Sequence, residues 1–189
     1  MINSNKIKTL KDNQSVLAAL SIAFAGSLLL ALLARLTVPI PFSPVPITGQ
    51  TFGILFLGGV LGSRMGTLSV IMYILEGLIG LPVFAGGTMG LLYLLGPTGG
   101  YLIGFIPVVY LVGYLSKKGS KNSFTSVFLT MIIGTSIIFI FGISWLAVTA
   151  GFGTALSIGL YPFIPGAIIK IILATVTVYS INRFTNSFI

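Results

Sequence analysis

The chain runs for long stretches without a charged side chain, and that absence constrains its fold more than any motif in it. Charged residues make up 6% of its 189 positions, against about 25% in a typical soluble domain. A surface facing water cannot be built from so few charges. The chain is therefore expected to fold in a bilayer, where the apolar surface faces lipid and the backbone must satisfy its own hydrogen bonds. The first apolar stretch follows a basic start, is too long for a signal-peptide core, and is followed by no clear cleavage motif. It is expected to be a permanent span.

Apolar runs bounded by Gly, Pro and basic clusters predict six helices: Gln14–Leu36, Thr48–Gly62, Gly66–Ile79, Gly99–Ser116, Ser123–Val148 and Pro165–Arg183. The expected architecture is an all-α integral membrane protein, one transmembrane domain over 1–189, with 1–13 as an N-terminal tail. The basic residues sort by side. Lys6, Lys8, Lys11, Arg64, Lys117, Lys118, Lys121 and Arg183 all fall at one end of these spans. The loops at 37–47, 80–98 and 149–164 carry no charge, with Arg35 at their border. The positive-inside rule then places both termini in the cytoplasm.

The second and third spans are short. About 14 residues at 1.5 Å each cover roughly 21 Å of a hydrocarbon core about 30 Å thick. The space above them falls to two uncharged loops, "TVPIPFSPVPITGQ" (Thr37–Gln50) and "IGLPVFAGGTMGLLYLLGPTGGY" (Ile79–Tyr101). The second holds seven glycines and two prolines, which break any helix running through it. Irregular backbone at membrane depth is tolerated where it is buried in protein or lines a cavity. A ligand cavity in the outer half, covered by these loops, is the expectation; a lid that only packs helices is the plainer alternative.

Chemistry is scarce. Cys and His are absent, and the two acids are Asp12, in the tail, and Glu76. No metal site, cofactor or acid–base pair is expected from so few ligands, which argues against an enzyme. Intramembrane ionisable residues are costly and are candidates for function. Lys170, behind "YPFIPGAIIK", could receive a carboxylate, helped by the positive end of the helix starting near Pro165. Glu76 lies at the outer end of its helix, where it could pair with Lys170, snorkel to the interface or face a ligand. Thr48, Gln50 and Thr51 open the second span, where they could cap the helix or hold a ureido or amide group. Gly86 and Gly87 let backbone approach a ligand. Phe84, Tyr93, Tyr101, Trp145 and Tyr161 lie near the outer side, as interface anchors or as walls of an apolar slot. Ala19, Ala23 and Ser27 recur every four residues on the first span, a stripe that either packs inside the bundle or docks another subunit.

Four segments in order, "PITGQTFG" (Pro46–Gly53), "EGLIGLPVFAGG" (Glu76–Gly87), "YLLGPTGGYLIGF" (Tyr93–Phe105) and "GLYPFIPG" (Gly159–Gly166), resemble the BioY family over nearly the whole chain. These are the substrate-binding membrane subunits, or S components, of energy-coupling-factor biotin transporters. The resemblance implies capture of biotin from outside, with a transmembrane coupling subunit and two cytosolic ATPase subunits as partners, in the cell membrane of a prokaryote. It implies that the alanine stripe docks the coupling subunit, that the Thr/Gln/Gly-rich loops serve the ureido ring, and that Lys170 serves the carboxylate. The sequence has no Walker motif of its own. One departure stands out. Many family members read Pro-Gly-Asp at the start of the last span, with the lysine three residues after the acid; here that position is Ala167. Either Glu76 substitutes or the ligand is gripped differently. An S component for another small vitamin, a self-sufficient ion-coupled transporter and a ligand-free scaffold are the competing readings.

Overall fold

The structure, a computed structural model, describes residues 4–118 and 123–186. Its elements in order are α1 (Ser4–Arg35), β1 (Thr37–Ile40), β2 (Ser43–Thr48), α2 (Gln50–Leu78), α3 (Leu91–Leu95), α4 (Gly99–Lys118), α5 (Phe124–Ala150), α6 (Phe152–Gly159) and α7 (Ile164–Asn186), with short 3₁₀ turns at Ala85–Gly87 and Tyr161–Phe163. Among the described residues, five helical stretches are long and apolar enough to cross a membrane. The second of them is two spans folded back on each other. Gly62, in α2, has φ +77° and ψ 179°, a conformation that only glycine adopts without strain. Across this turn the amide of Gln50 reaches the Tyr73 hydroxyl at 2.5 Å, whereas a straight helix would hold those residues roughly 35 Å apart. The bundle thus has six spans, as the apolar runs predict. The expected break at 62–66 is compressed into one residue, and the two arms, 50–61 and 63–78, cover roughly 18 and 24 Å.

Helix boundaries differ where local signals are weak. The first helix begins at Ser4, so residues 4–13, expected as tail, form its opening turns. Ser123 caps α5, its Oγ accepting from the Ser126 N–H at 3.3 Å. The core is built between the arms of α2 and α4, where Ile54, Leu57, Val70, Val108, Val109 and Val112 are fully or almost fully buried. The small-residue stripe of α1 faces into this bundle. Ala23 and Ser27 are both 0% exposed, and the Ser27 hydroxyl lies 2.7 Å from Glu76 Oε1. Only Ala19 of the three is partly accessible. Of the two readings of Ala19, Ala23 and Ser27, this burial supports packing within the bundle, where small side chains let α1 approach α2; the outward face of α1 carries Leu17, Phe24, Leu28 and Leu32.

The two outer loops are more ordered than their composition suggests. Residues 37–48 form an antiparallel hairpin with pairs Thr37↔Thr48, Val38↔Ile47 and Ile40↔Ser43. None of those pairs contains a proline, and the register breaks between Val38 and Ile40, where Pro39 lies. That is how a proline-rich segment can still form a ladder, because proline has no N–H to donate. A lone hairpin is marginal. This one is fastened at its base by the Gly49 N–H to the Leu36 carbonyl at 3.0 Å, and near its tip by Ser43 Oγ to the Ile158 carbonyl at 2.7 Å.

The glycine-rich loop pairs its backbone locally. The Leu81 N–H donates to the Glu76 carbonyl at 3.0 Å, Phe84 to Thr88 at 3.0 Å, Gly87 to Phe84 at 2.9 Å and Gly90 to Gly77 at 2.8 Å. Breaking the helix there does not leave bare backbone in lipid. It produces a run of tight turns that roofs the outer end of the bundle.

Candidate functional site

Beneath this roof lies a cavity bounded by the hairpin and five helices. The hairpin gives Val45, Pro46 and Thr48; α2 gives Gln50, Thr51 and Leu55; α3 gives Tyr93; and Thr98 joins Tyr101, Leu102 and Phe105 of α4. The far wall is Thr135, Ile138 and Phe139 of α5, and Phe163, Ala167 and Lys170 close it from the α7 side. Its walls are mostly apolar, with a few polar groups gathered near the start of α2, the composition of a small-molecule site.

Lys170 is the one charged side chain lining this cavity. Its Nζ donates to the Thr48 carbonyl at 2.6 Å and to Thr51 Oγ1 at 3.0 Å. An ammonium has three protons to donate, so one is left for a guest. No ion pair joins Lys170 to an acid among the described residues. Ala167, one turn earlier on the same helix, lines the cavity with a methyl group. Beside the lysine, Gln50 is only 4% exposed. Its Oε1 accepts from Thr48 Oγ1 at 3.0 Å, its Nε2 reaches the Tyr73 hydroxyl, and that hydroxyl donates to the Val83 carbonyl at 3.0 Å. The cavity wall is thereby wired to the glycine-rich roof.

Of the residues singled out in the sequence, Thr48, Gln50, Thr51, Tyr93, Tyr101 and Lys170 come together here. Tyr101 turns its hydroxyl away, to the Gly159 carbonyl at 2.7 Å, and presents its ring. The others stand outside the lining. Glu76 is 8% exposed and accepts from Ser27 Oγ between α1 and α2, and it is not among the residues that line the cavity. Phe84, 0% exposed, stacks behind Tyr93 with ring centroids 5.2 Å apart and meets Tyr73 edge-on at 5.6 Å. Gly86 donates its N–H to Thr37 Oγ1 at 3.3 Å. Gly87 lies beside the Arg35 guanidinium, which donates to the Pro82 carbonyl at 2.7 Å and so fastens the roof to the end of α1. Trp145 donates from Nε1 to the Gly96 carbonyl at 3.0 Å. Tyr161 is 59% exposed. Sequence reasoning missed the apolar walls, Leu55, Leu102, Phe105, Ile138, Phe139 and Phe163. It also missed two hydroxyls, Thr98 in "GPTGG" and Thr135, whose signals are faint in a chain where most helical faces are apolar.

Compared with known proteins, the sequence matches the BioY family from residue 5 to residue 187. The chain belongs to that family. Among its BioY relatives, the biotin transporter BioY of Rhizobium etli is 37% identical over 160 residues, covering 80% of this chain and 86% of the relative. The biotin transporter BioY of Lactococcus lactis subsp. cremoris is 35% identical over 188 residues, covering 97% and 95%. The fold is similar to a crystal structure of the S-component for biotin from an ECF-type ABC transporter, with a TM-score of 0.80, 35% identity, and coverage of 90% of this chain and 94% of that one. BioY is a family of membrane transport proteins, not of enzymes, and the six-span bundle agrees with that solved fold.

Proposed function

We infer that this BioY-family chain captures biotin and delivers it for uptake as the S component of an ECF-type transporter. Its relatives carry the name of biotin transporters along nearly their full lengths, and its fold is similar to that of a biotin S-component. The observation that carries the assignment to a site is Lys170. It is an ammonium held by two neutral acceptors, with one proton free, in a cavity with no acid. Biotin offers a carboxylate for that proton and an apolar tail for the walls. The Gln50 amide has one N–H and one lone pair still uncommitted, which suits the donors and acceptor of the ureido ring.

The finer parts of the proposal follow from charge and from absence of machinery. Lys117 lies against the Gly62 turn, so the end of α4 and the Arg64 turn share one end of the bundle, opposite the cavity. The positive-inside rule makes that end, and both termini, cytoplasmic; Lys121 lies outside the described residues. Substrate then arrives from outside a prokaryotic cell membrane. With no Walker motif in the chain, energy comes from a transmembrane coupling subunit and two cytosolic ATPase subunits.

The test is Lys170→Ala, titrated with biotin and with biotinamide. Hydrogen bonds to charged groups are worth about 1.5–3 kcal/mol net, or roughly 10- to 150-fold in affinity. Biotin should lose that much and the neutral amide far less. Equal losses for both ligands would remove Lys170 as the carboxylate anchor.

A further inference from the structure

A second hollow lies outside the cavity, between the hairpin and the roof. Its walls include Pro44 and Ser43 of the hairpin, Thr88 of the roof, Leu92 of α3 and the turn at Gly96 and Pro97. No charged side chain lines it. Three residues, Pro46, Tyr93 and Thr98, belong to both linings. They form the boundary between the two spaces.

That boundary is fixed on one side and loose on the other. Tyr93 rests on Phe84, which is fully buried and so close to Gly77 that even a Cβ there would fall 2.0 Å from its ring. The short helix that carries Tyr93 has no buried residue. It is flanked by Gly90 and Gly96, and the Gly96 carbonyl is held by Trp145. Leu92, its neighbour on the outer side, is 86% exposed. A five-residue helix with glycines at both ends and little packing is the kind of element that opens locally.

We propose that the outer hollow is a first binding site for the incoming substrate, which passes Tyr93 into the inner cavity in a second step. The inference rests on the functional reading above. The occupant is the substrate itself, because the hollow adjoins the cavity and only the three shared residues, Pro46, Tyr93 and Thr98, are common to both walls. Uncharged walls of proline and leucine suit its apolar body while its carboxylate stays in water. The inner site, where Lys170 waits, then sets the final affinity, and the outer one sets how fast substrate is caught.

The chain has a single tryptophan, Trp145, bonded to the turn that lines the hollow, so its emission reports on this step. Stopped-flow mixing with excess biotin should give an observed rate that rises hyperbolically with biotin concentration. Leu92→Asp, at a position that does not line the inner cavity, should raise the half-saturating concentration about fivefold, the effect of roughly 1 kcal/mol. Equilibrium affinity measured by calorimetry should stay within about twofold. A linear dependence, an unchanged half-saturation in Leu92→Asp, or emission that stays constant while calorimetry shows binding would each overturn the outer site and leave biotin capture standing. No biotin heat at all in the native chain would remove the functional reading and the outer site together.

Discussion

The two ends of this bundle use the same residue for opposite purposes. At the end that holds the Gly62 turn, glycine brings backbones into contact. A Cβ added at Gly113 of α4 would lie 2.2 Å from the Ser63 nitrogen and 2.5 Å from the Gly62 carbonyl carbon. At the other end, some glycines also make turns in open space. Gly86 has φ +67° and nothing within 4 Å of where a Cβ would sit. One end is closed by contact and the other is shaped by backbone conformation. The first holds the helices together, and the second leaves a cavity under a roof. Stability and ligand capture are therefore expected to separate along the membrane normal.

The sharpest way to break this contrast is Gly113→Val. The clash is with backbone on both atoms, so the neighbour cannot rotate away. The cost should exceed the usual 1–3 kcal/mol of overpacking, and thermal unfolding in detergent should show a large fall in midpoint or no folded protein. A normal midpoint would mean that the inner end is not closed by this contact. Next is Ala23→Leu. With Ala23 buried inside the chain, the isolated subunit should lose about 1–3 kcal/mol of stability in the absence of any partner. An unchanged midpoint together with weakened assembly would restore the stripe as a docking face.

Two changes at the outer end should behave differently. Gln50→Leu removes the amide between Thr48 and Tyr73. Biotin affinity should fall about tenfold, equivalent to about 1.4 kcal/mol, while the unliganded midpoint moves by only a few degrees; calorimetry and thermal unfolding separate the two. The smallest effect is expected from Gly86→Ala, which forces a side chain into the left-handed region at about 1–2 kcal/mol. It should lower the midpoint slightly and leave biotin affinity within about twofold. A large loss of affinity there would make the roof part of the site itself.

Much of the bundle was legible because its signals are coarse. Apolar runs, basic clusters and the short pair of spans around Arg64 are properties of whole segments, and six spans follow from them. The hairpin was hidden because four prolines between Thr37 and Thr48 speak against a ladder, and only the register shows that the pairs avoid them. In the cavity, polar residues stood out against an apolar background, so Lys170, Gln50 and Thr51 could be named. Phe105 and Ile138 could not, since an apolar face toward a cavity reads the same as one toward lipid. The stripe of Ala19, Ala23 and Ser27 marks close approach without saying to what. Glu76 shows the same ambiguity for charge: an isolated acid in a span looks like a partner for the isolated base, yet the hydrogen bond it accepts comes from a serine on another helix.

The two neutral acceptors around Lys170 have an electrical consequence. With a carboxylate anchored on its ammonium, the loaded cavity carries no net charge; emptied, it carries one. Moving an elementary charge across the membrane potential is worth about 2.3 kcal/mol per 100 mV. Whatever motion carries the contents of the cavity toward the cytoplasmic face, the loaded leg is then indifferent to voltage. The membrane potential acts on the empty return, drawing the bare ammonium toward the negative interior and holding it there. With Lys170 as the proposed carboxylate anchor and the proposed orientation, resetting the empty subunit, rather than carrying the loaded one, is the step expected to work against the field.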